Sequence, residues 1–309
     1  MNPGAQFEQL LAQPEQCLTL AHGVCDRHAL SLDCTRIEGG SRLMYATADG
    51  RIIKIFPPHE ADFFETEVLF LGQMYRRLPI PTPQLHAAGQ WQGYPYIVME
   101  RLSGMPLTET WDKLDDDGRR QVVRQLGAAV QAMHDLPVDL FAAAPFQWRP
   151  FIDHQRESLL TNHRNWGLDP AWLSQLTGYM DGFPLDVHDP AQIVPLHTEL
   201  MQEHVFIEKK GRDWIISGLI DFEPSMVGHQ EYEFCAVGLF ITRGNRELFR
   251  LFLSSYGYSD AELTDGLSRR IMMLLLLHRY GNFRRFLTLI PPELQFTELR
   301  QLEQYWYSF

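Results

Sequence analysis

The chain has 309 residues, 45% apolar and 21% charged, the make-up of a globular protein with one large core or two moderate ones. A formal net charge of −12 argues against a nucleic-acid binder and against an anionic membrane surface, and permits a cationic substrate. Cys17, Cys25, Cys34 and Cys235 form no CxxC pair, and the start lacks the basic and apolar regions of a signal peptide, so reduced thiols in a cytoplasmic protein are predicted.

Residues 5–21 carry helical spacing through Phe7, Leu10, Leu11, Leu18 and Leu20, and predict an N-terminal helical region. After Arg27 the pattern turns to strands. Segments 30–37 and 43–47 flank the turn Glu38-Gly39-Gly40-Ser41-Arg42, and Ala48-Asp49-Gly50 leads into a third strand over 51–56. Lys54 lies in that strand, on the face opposite Ile53 and Ile55. Two readings stay open for it: a solvated sheet edge, which the strand alone favours, or a cleft. Pro57-Pro58 ends the strand, and 61–77 reads as a helix with the stripe Phe64, Val68, Leu71 and Met74. Glu60, Asp62, Glu65 and Glu67 crowd its first half, as a solvated acidic turn or as a source of a partner for Lys54. The proline-rich connector 78–83 precedes strands over 84–90 and 94–99.

This predicts a five-stranded, mostly antiparallel sheet with one helix, closed by a hinge at 100–104. Helices dominate afterwards, so the chain divides into 1–102 and 103–309. A long helix over 115–134 starts at Asp115-Asp116-Asp117, and further helices are predicted near 151–162, 170–181, 230–242, 246–256, 260–287 and 292–307. The greasiest run, 271–277, is too short to span a bilayer and reads as a buried helix. His134 reads as a packing or capping residue, and His154, His163 and His188 as solvated.

Between these helices lies PLHTELMQEHVFIEKKGRDWIISGLIDFE, residues 195–223. Two apolar runs, 205–207 and 214–220, flank a charged turn. An antiparallel hairpin of that length brings His197, Glu199 and His204 beside Asp221 and Glu223. Carboxylates and imidazoles at one sheet edge are groups that bind metals and move protons.

The order of glycine turn, strand Lys, helix Glu, hinge, helical half, HTELMQEH over 197–204 and IDFE over 220–223 resembles the aminoglycoside phosphotransferase branch of the kinase-like superfamily. YIVMERLSG at 96–104 and GHQEYEF at 228–234 support this, and IKIF, NHRNWGLDP and LLHRYGNF resemble the hygromycin-B 7″-O-kinase type. The resemblance implies an α+β, two-lobed protein-kinase-like fold, with a five-stranded antiparallel sheet plus helix in the N-lobe and a mainly helical C-lobe. It implies ATP and Mg²⁺, with Mn²⁺ as a second candidate, and a small-molecule hydroxyl acceptor. Gly39, Gly40 and Ser41 would approach the triphosphate. Lys54 would hold the α/β-phosphates, fixed by Glu67, with Glu65 as the alternative. Met99 and the backbone of Glu100 and Leu102 would meet the adenine. Asp221 would bind metal, with Glu223 as a candidate assistant, and His197 would steady the loop. Tyr232 and Glu233 would brace the C-terminal helices.

Three positions depart from the family's H-G-D-x4-N. Thr198 stands for Gly, Glu199 for the catalytic Asp and His204 for the metal-ligating Asn. Glu reaches about 1.5 Å further, and a misplacement of about that size costs roughly 100-fold in rate. Imidazole suits Mn or Zn better than Mg. Gln202 and Glu203 are nearby candidates to take over a metal contact. The leading expectation is an ATP-dependent O-kinase for an aminoglycoside or related amino-sugar, with Glu199 as base and a role in antibiotic resistance. The alternatives are a kinase-like binding module that has lost transfer and a metal-dependent enzyme of another class.

Overall fold

The computed structural model describes residues 3–40 and 42–309; Ser41 of the glycine turn lies outside the described residues. The predicted N-terminal helical region is two helices, α1 (Pro3–Leu11) and α2 (Pro14–His28), because Pro14 cannot continue α1 and instead opens α2. Their buried Phe7, Leu10, Leu20 and Val24 pack with Leu43, Tyr45, Ile53, Ile55 and Val98 of the sheet. The sheet contains β1 (Cys34–Ile37), β2 (Leu43–Thr47), β3 (Arg51–Ile55), β4 (Leu85–Trp91) and β5 (Tyr94–Glu100), antiparallel in the order β1-β2-β3-β5-β4. The first strand is shorter than predicted, since α2 runs on to His28 and ends in a left-handed Ala29. Helix α3 (Ala61–Met74) carries the buried Phe70, Leu71 and Met74 into the main core, which also takes Phe56, Ile97 and Met99.

The crossing at 100–104 leads to a two-residue strand β6 (Met105–Pro106) and a short helix α4 (Leu107–Thr110). Gly104 has φ +97, and a Cβ there would sit 2.2 Å from Ser217 Oγ and 2.7 Å from the Ile207 carbonyl, so only glycine fits this crossing. Helix α5 (Asp116–His134) forms as expected: Asp115 accepts from Gly118 N–H at 2.8 Å, and Val122, Val123, Leu126, Val130 and Met133 are buried. Then come α6 (Trp148–Asn165), α7 (Pro170–Leu173) and α8 (Leu176–Asp181). His163, expected in solvent, is buried on the inner face of α6 and bonds the Leu276 carbonyl at 3.0 Å.

Two strand pairs organise 193–229. β7 (Ile193–Leu196) pairs with β10 (Met226–His229), and β8 (Val205–Lys210) pairs with β9 (Asp213–Leu219), both antiparallel. The hairpin was expected; the β7–β10 pair was not. Together they hold 197–204 and 220–225 side by side. Helix α9 (Glu231–Ala236) runs into a π-helical turn, Val237–Thr242. After α10 (Arg246–Tyr256), the long helix predicted for 260–287 is two, α11 (Asp265–Leu276) and α12 (Phe283–Leu287), followed by α13 (Leu299–Tyr307). The break falls where Asn282 caps α12 by accepting from Arg285 N–H. Ile271 to Leu277 are all buried, and no helix among the described residues is long and apolar enough to cross a membrane.

Candidate active site

Lys54 enters the site from β3. Its Nζ lies 2.7 Å from Glu67 Oε2, 2.7 Å from Asp221 Oδ1 and 2.9 Å from Glu223 Oε2. Lys54 is 3% exposed and Glu67 is fully buried, which overturns the solvated reading of Lys54. Glu65 is exposed, so Glu67 is the partner. Burial pulls the ammonium's pKa down, but Asp221, Glu67 and Glu223 outweigh it and hold it well above the usual lysine range. Burial pushes Glu67 up, and the nearby Asp221 and Glu223 add to this against the pull of Lys54. Asp221 feels the same desolvation, yet Lys54 and His204 keep it below the usual carboxylate range.

Sequence reasoning missed Arg42 as a site residue and offered Glu60 only among the acids that could pair with Lys54; Glu60 pairs with Arg42 instead. Arg42 Nε donates to Glu223 at 3.0 Å, and its Nη1 forms an ion pair with Glu60 at 2.6 Å. Two cations thus face four carboxylates, Glu60, Glu67, Asp221 and Glu223, an excess of negative charge that suits a divalent cation.

The loop from His197 to His204 is built differently. The backbone N–H groups of His197 and Thr198 donate to the two oxygens of Glu233 at 2.6 and 2.9 Å. Thr198 has φ +74, a conformation that a β-branched residue rarely adopts. Two more bonds hold it there: Oγ1 donates to the Pro224 carbonyl at 3.1 Å, and His278 Nε2 bonds its carbonyl at 3.1 Å. Burial lowers the His278 pKa to about 4, so this imidazole is neutral. Glu233 is therefore a clamp on the loop, beyond the brace on helices that was expected. Its signal in the sequence was the resemblance through GHQEYEF, which gave the residue but not this contact.

His197 is fully buried; its Nε2 bonds the Ile220 carbonyl at 2.9 Å, and Nδ1 accepts from Glu199 N–H at 3.3 Å. Burial depresses its pKa. The ring ties the loop to the end of the hairpin. His204 Nδ1 bonds the Glu199 carbonyl at 2.8 Å, which leaves Nε2 facing Asp221 Oδ2 at 3.1 Å. The ligand atoms of Glu199, His204 and Asp221 all lie within 4.8 Å of one another, and so do those of Glu67, Asp221 and Glu223. Asp221 belongs to both groups and itself has φ +73. Gln202 is turned away to Arg243 Nη2 at 2.7 Å, and Glu203 is exposed, so neither shares these groups.

Burial raises the Glu199 carboxyl to about 7, against the pull of His204. Glu199 lines a cavity of about 390 Å³ that is also walled by Trp166, Tyr280, Phe240, Phe286, Arg279 and Arg285. Gly39 and Gly40 have φ +92 and +79, and no backbone or buried atom crowds either. Met99 is buried, and the Glu100 N–H is already committed to the Gln84 carbonyl at 2.9 Å. Leu102 packs against Gly218 of β9.

The model of the phosphotransferase enzyme family matches residues 33–267. The chain belongs to this family. Among solved structures, the GDP complex of wild-type aminoglycoside 2′-phosphotransferase-IIIa has a TM-score of 0.69 at 14% identity, covering 93% of this chain and 96% of that one. Macrolide 2′-phosphotransferase from Brachybacterium faecium, as apoenzyme, has a TM-score of 0.61 at 17% identity, covering 89% and 98%. These likenesses establish the α+β, kinase-like fold. A curated relative, a lysine-specific demethylase of Arabidopsis thaliana, is 21% identical over 215 residues, which are 57% of this chain. The chain spans 23% of that relative's length.

Proposed function

We propose that this chain is a small-molecule O-phosphotransferase that moves the γ-phosphate of ATP to an acceptor hydroxyl, with Glu199 as the base. The observation that carries this reading is the meeting of Lys54–Glu67, Asp221 and Glu199–His204 at one site, on a family member. In this reading residues 1–102 hold the nucleotide and 103–309 supply the loop and the acceptor site. Gly39, Gly40 and Ser41 line the triphosphate, and Lys54, fixed by Glu67, holds its α/β-phosphates. Met99 backs the adenine, which meets the backbone of Glu100 and Leu102. Asp221 and His204 would hold Mg²⁺ or Mn²⁺, whose charge supports phosphoryl transfer when bound; the excess of carboxylates fits a divalent ion. Glu199, with a pKa near 7, takes the proton as the acceptor oxygen attacks the γ-phosphorus. The bond from that phosphorus to the β-phosphate oxygen breaks, and ADP leaves. His197 acts by holding the loop.

An aminoglycoside or related amino-sugar is the first reading of the acceptor. The acidic chain supports it, as do structural neighbours solved with kanamycin and gentamicin. The cavity beside Glu199 favours a second reading. Its aromatic walls suit a hydroxylated acceptor with an apolar face, and its two arginines are matched by Glu199 and Glu203 on the same lining. Coupled ADP release over a panel of aminoglycosides, macrolides and sugars, with Mg²⁺ and with Mn²⁺, tests the function. Acceptor-dependent release that is lost in Asp221→Ala is expected. Turnover that persists in Asp221→Ala contradicts it, and nucleotide binding without transfer to any acceptor favours a binding module.

A further inference from the structure

Arg42 follows the glycine turn and directly precedes β2. Its side chain is 8% exposed and lies near the rings of Phe56 and Phe63, at 5.7 and 5.5 Å. The guanidinium grips both oxygens of Glu223: Nε donates to Oε2 at 3.0 Å, and Nη2 lies 2.9 Å from Oε1. Oε2 of the same carboxylate is also 2.9 Å from Lys54 Nζ. One anion is therefore held by two buried cations, from β3 and from the residue before β2, and the anion itself comes from the segment after β9. A guanidinium fork paired with an ammonium is equally the chemistry that grips two oxygens of a phosphate.

Burial at this depth is costly for a charge without a partner. Arg42 Nη1 also lies 2.6 Å from Glu60 Oε2, so Glu60 compensates one side of the guanidinium, and Glu223 compensates its Nε and Nη2 fork. The Lys54 environment points the same way, because that ammonium already has Glu67 and Asp221 and does not need a third acid.

We propose that Arg42 is a second phosphate-binding cation of the nucleotide site, and that Glu223 fills its seat when no nucleotide is bound. This rests on the nucleotide-binding reading above. A phosphate oxygen pair takes the Nε and Nη2 fork, and the carboxylate of Glu223 is released toward Glu67 and Asp221, with which its ligand atoms already cluster within 4.8 Å. Glu223 thus competes with the nucleotide for Arg42, and removing its charge strengthens binding.

The test is equilibrium binding of ATP and of adenosine, both in EDTA, to the full chain and to Arg42→Gln, Arg42→Lys and Glu223→Gln, with each variant's melting temperature recorded. ATP binding is expected to weaken in Arg42→Gln by roughly ten- to a hundredfold, the worth of a charge-assisted hydrogen bond. Arg42→Lys recovers part of that loss. Glu223→Gln tightens ATP binding, a gain that a merely damaged fold does not produce. Adenosine binding stays level in all three, since it carries no phosphate. Equal losses of ATP and adenosine in Arg42→Gln, or unchanged or weaker ATP binding in Glu223→Gln, overturn the inference alone. A wild-type chain that binds neither ligand overturns the nucleotide reading, and this inference with it.

Discussion

The cluster around Lys54 and the loop from His197 to His204 face one another and are built by opposite means. The cluster is held by charge: side chains from the residue before β2, from β3, from α3 and from the segment after β9 converge as ions, with Lys54 touching three carboxylates. The loop is held by its backbone: Glu233, the Pro224 carbonyl, His278 and the Ile220 carbonyl tie it down around a strained Thr198. Set against the H-G-D-x4-N pattern of the resemblance, the three differing positions, Thr198, Glu199 and His204, all lie in the loop. Most of the groups that fasten the loop lie outside it, and Glu199 and His204 come within reach of Asp221.

Substitutions can break this contrast in graded steps. Asp221→Ala removes the one residue shared by both regions and is expected to lower transfer by roughly 10³-fold or more, measured as coupled ADP release. Glu199→Gln should lower transfer by about 10²–10⁴-fold, the usual worth of a general base. The same change should stabilise the fold at neutral and alkaline pH. Burial raises the Glu199 carboxyl from 4.5 to about 7, so the folded state holds its proton more tightly than the unfolded chain does. That contribution is fully present below the unfolded value of 4.5 and is lost as pH rises through about 7. The Gln variant should therefore gain up to about 3 kcal/mol near pH 8 and nothing below 4.5, readable from melting temperatures across that range.

Glu233→Ala leaves two buried amide N–H groups without an acceptor. A loss of about 3 kcal/mol in denaturant stability is expected. Because the loop loosens while Lys54 keeps its partners, kcat should fall with little change in the KM for ATP. Thr198→Gly gives the smallest effect. Relief of backbone strain offsets the lost bond to the Pro224 carbonyl, and the net change should stay within about 1 kcal/mol. A large loss there would show that the hydroxyl, and not the clamp from Glu233, holds the loop.

The sequence reading went furthest where one element sufficed. The hairpin register follows from two apolar runs and a charged turn, and the N-cap at Asp115 from three acids before an apolar stripe. Lys54 shows the limit: alternation gives its face but not what lies across from that face, and the resemblance supplied the partner. Arg42, Glu60 and Glu233 act through contacts far apart in the chain, and no local pattern marks such contacts. His163 was legible in principle, since it continues the buried stripe Ile152 and Leu159 at helical spacing. The break between α11 and α12 was also legible, as Gly281-Asn282 is turn and cap chemistry inside an apolar run.

Glu199 is the base in the proposed reaction, and the pH dependence of kcat for an identified acceptor tests this most directly. Wild type should show a rate that rises with pH through about 7, as Glu199 loses its proton, and Glu199→Gln should show a low rate with no such rise. A rise near 7 that survives in Glu199→Gln, or a wild-type rate that does not depend on pH there, contradicts it.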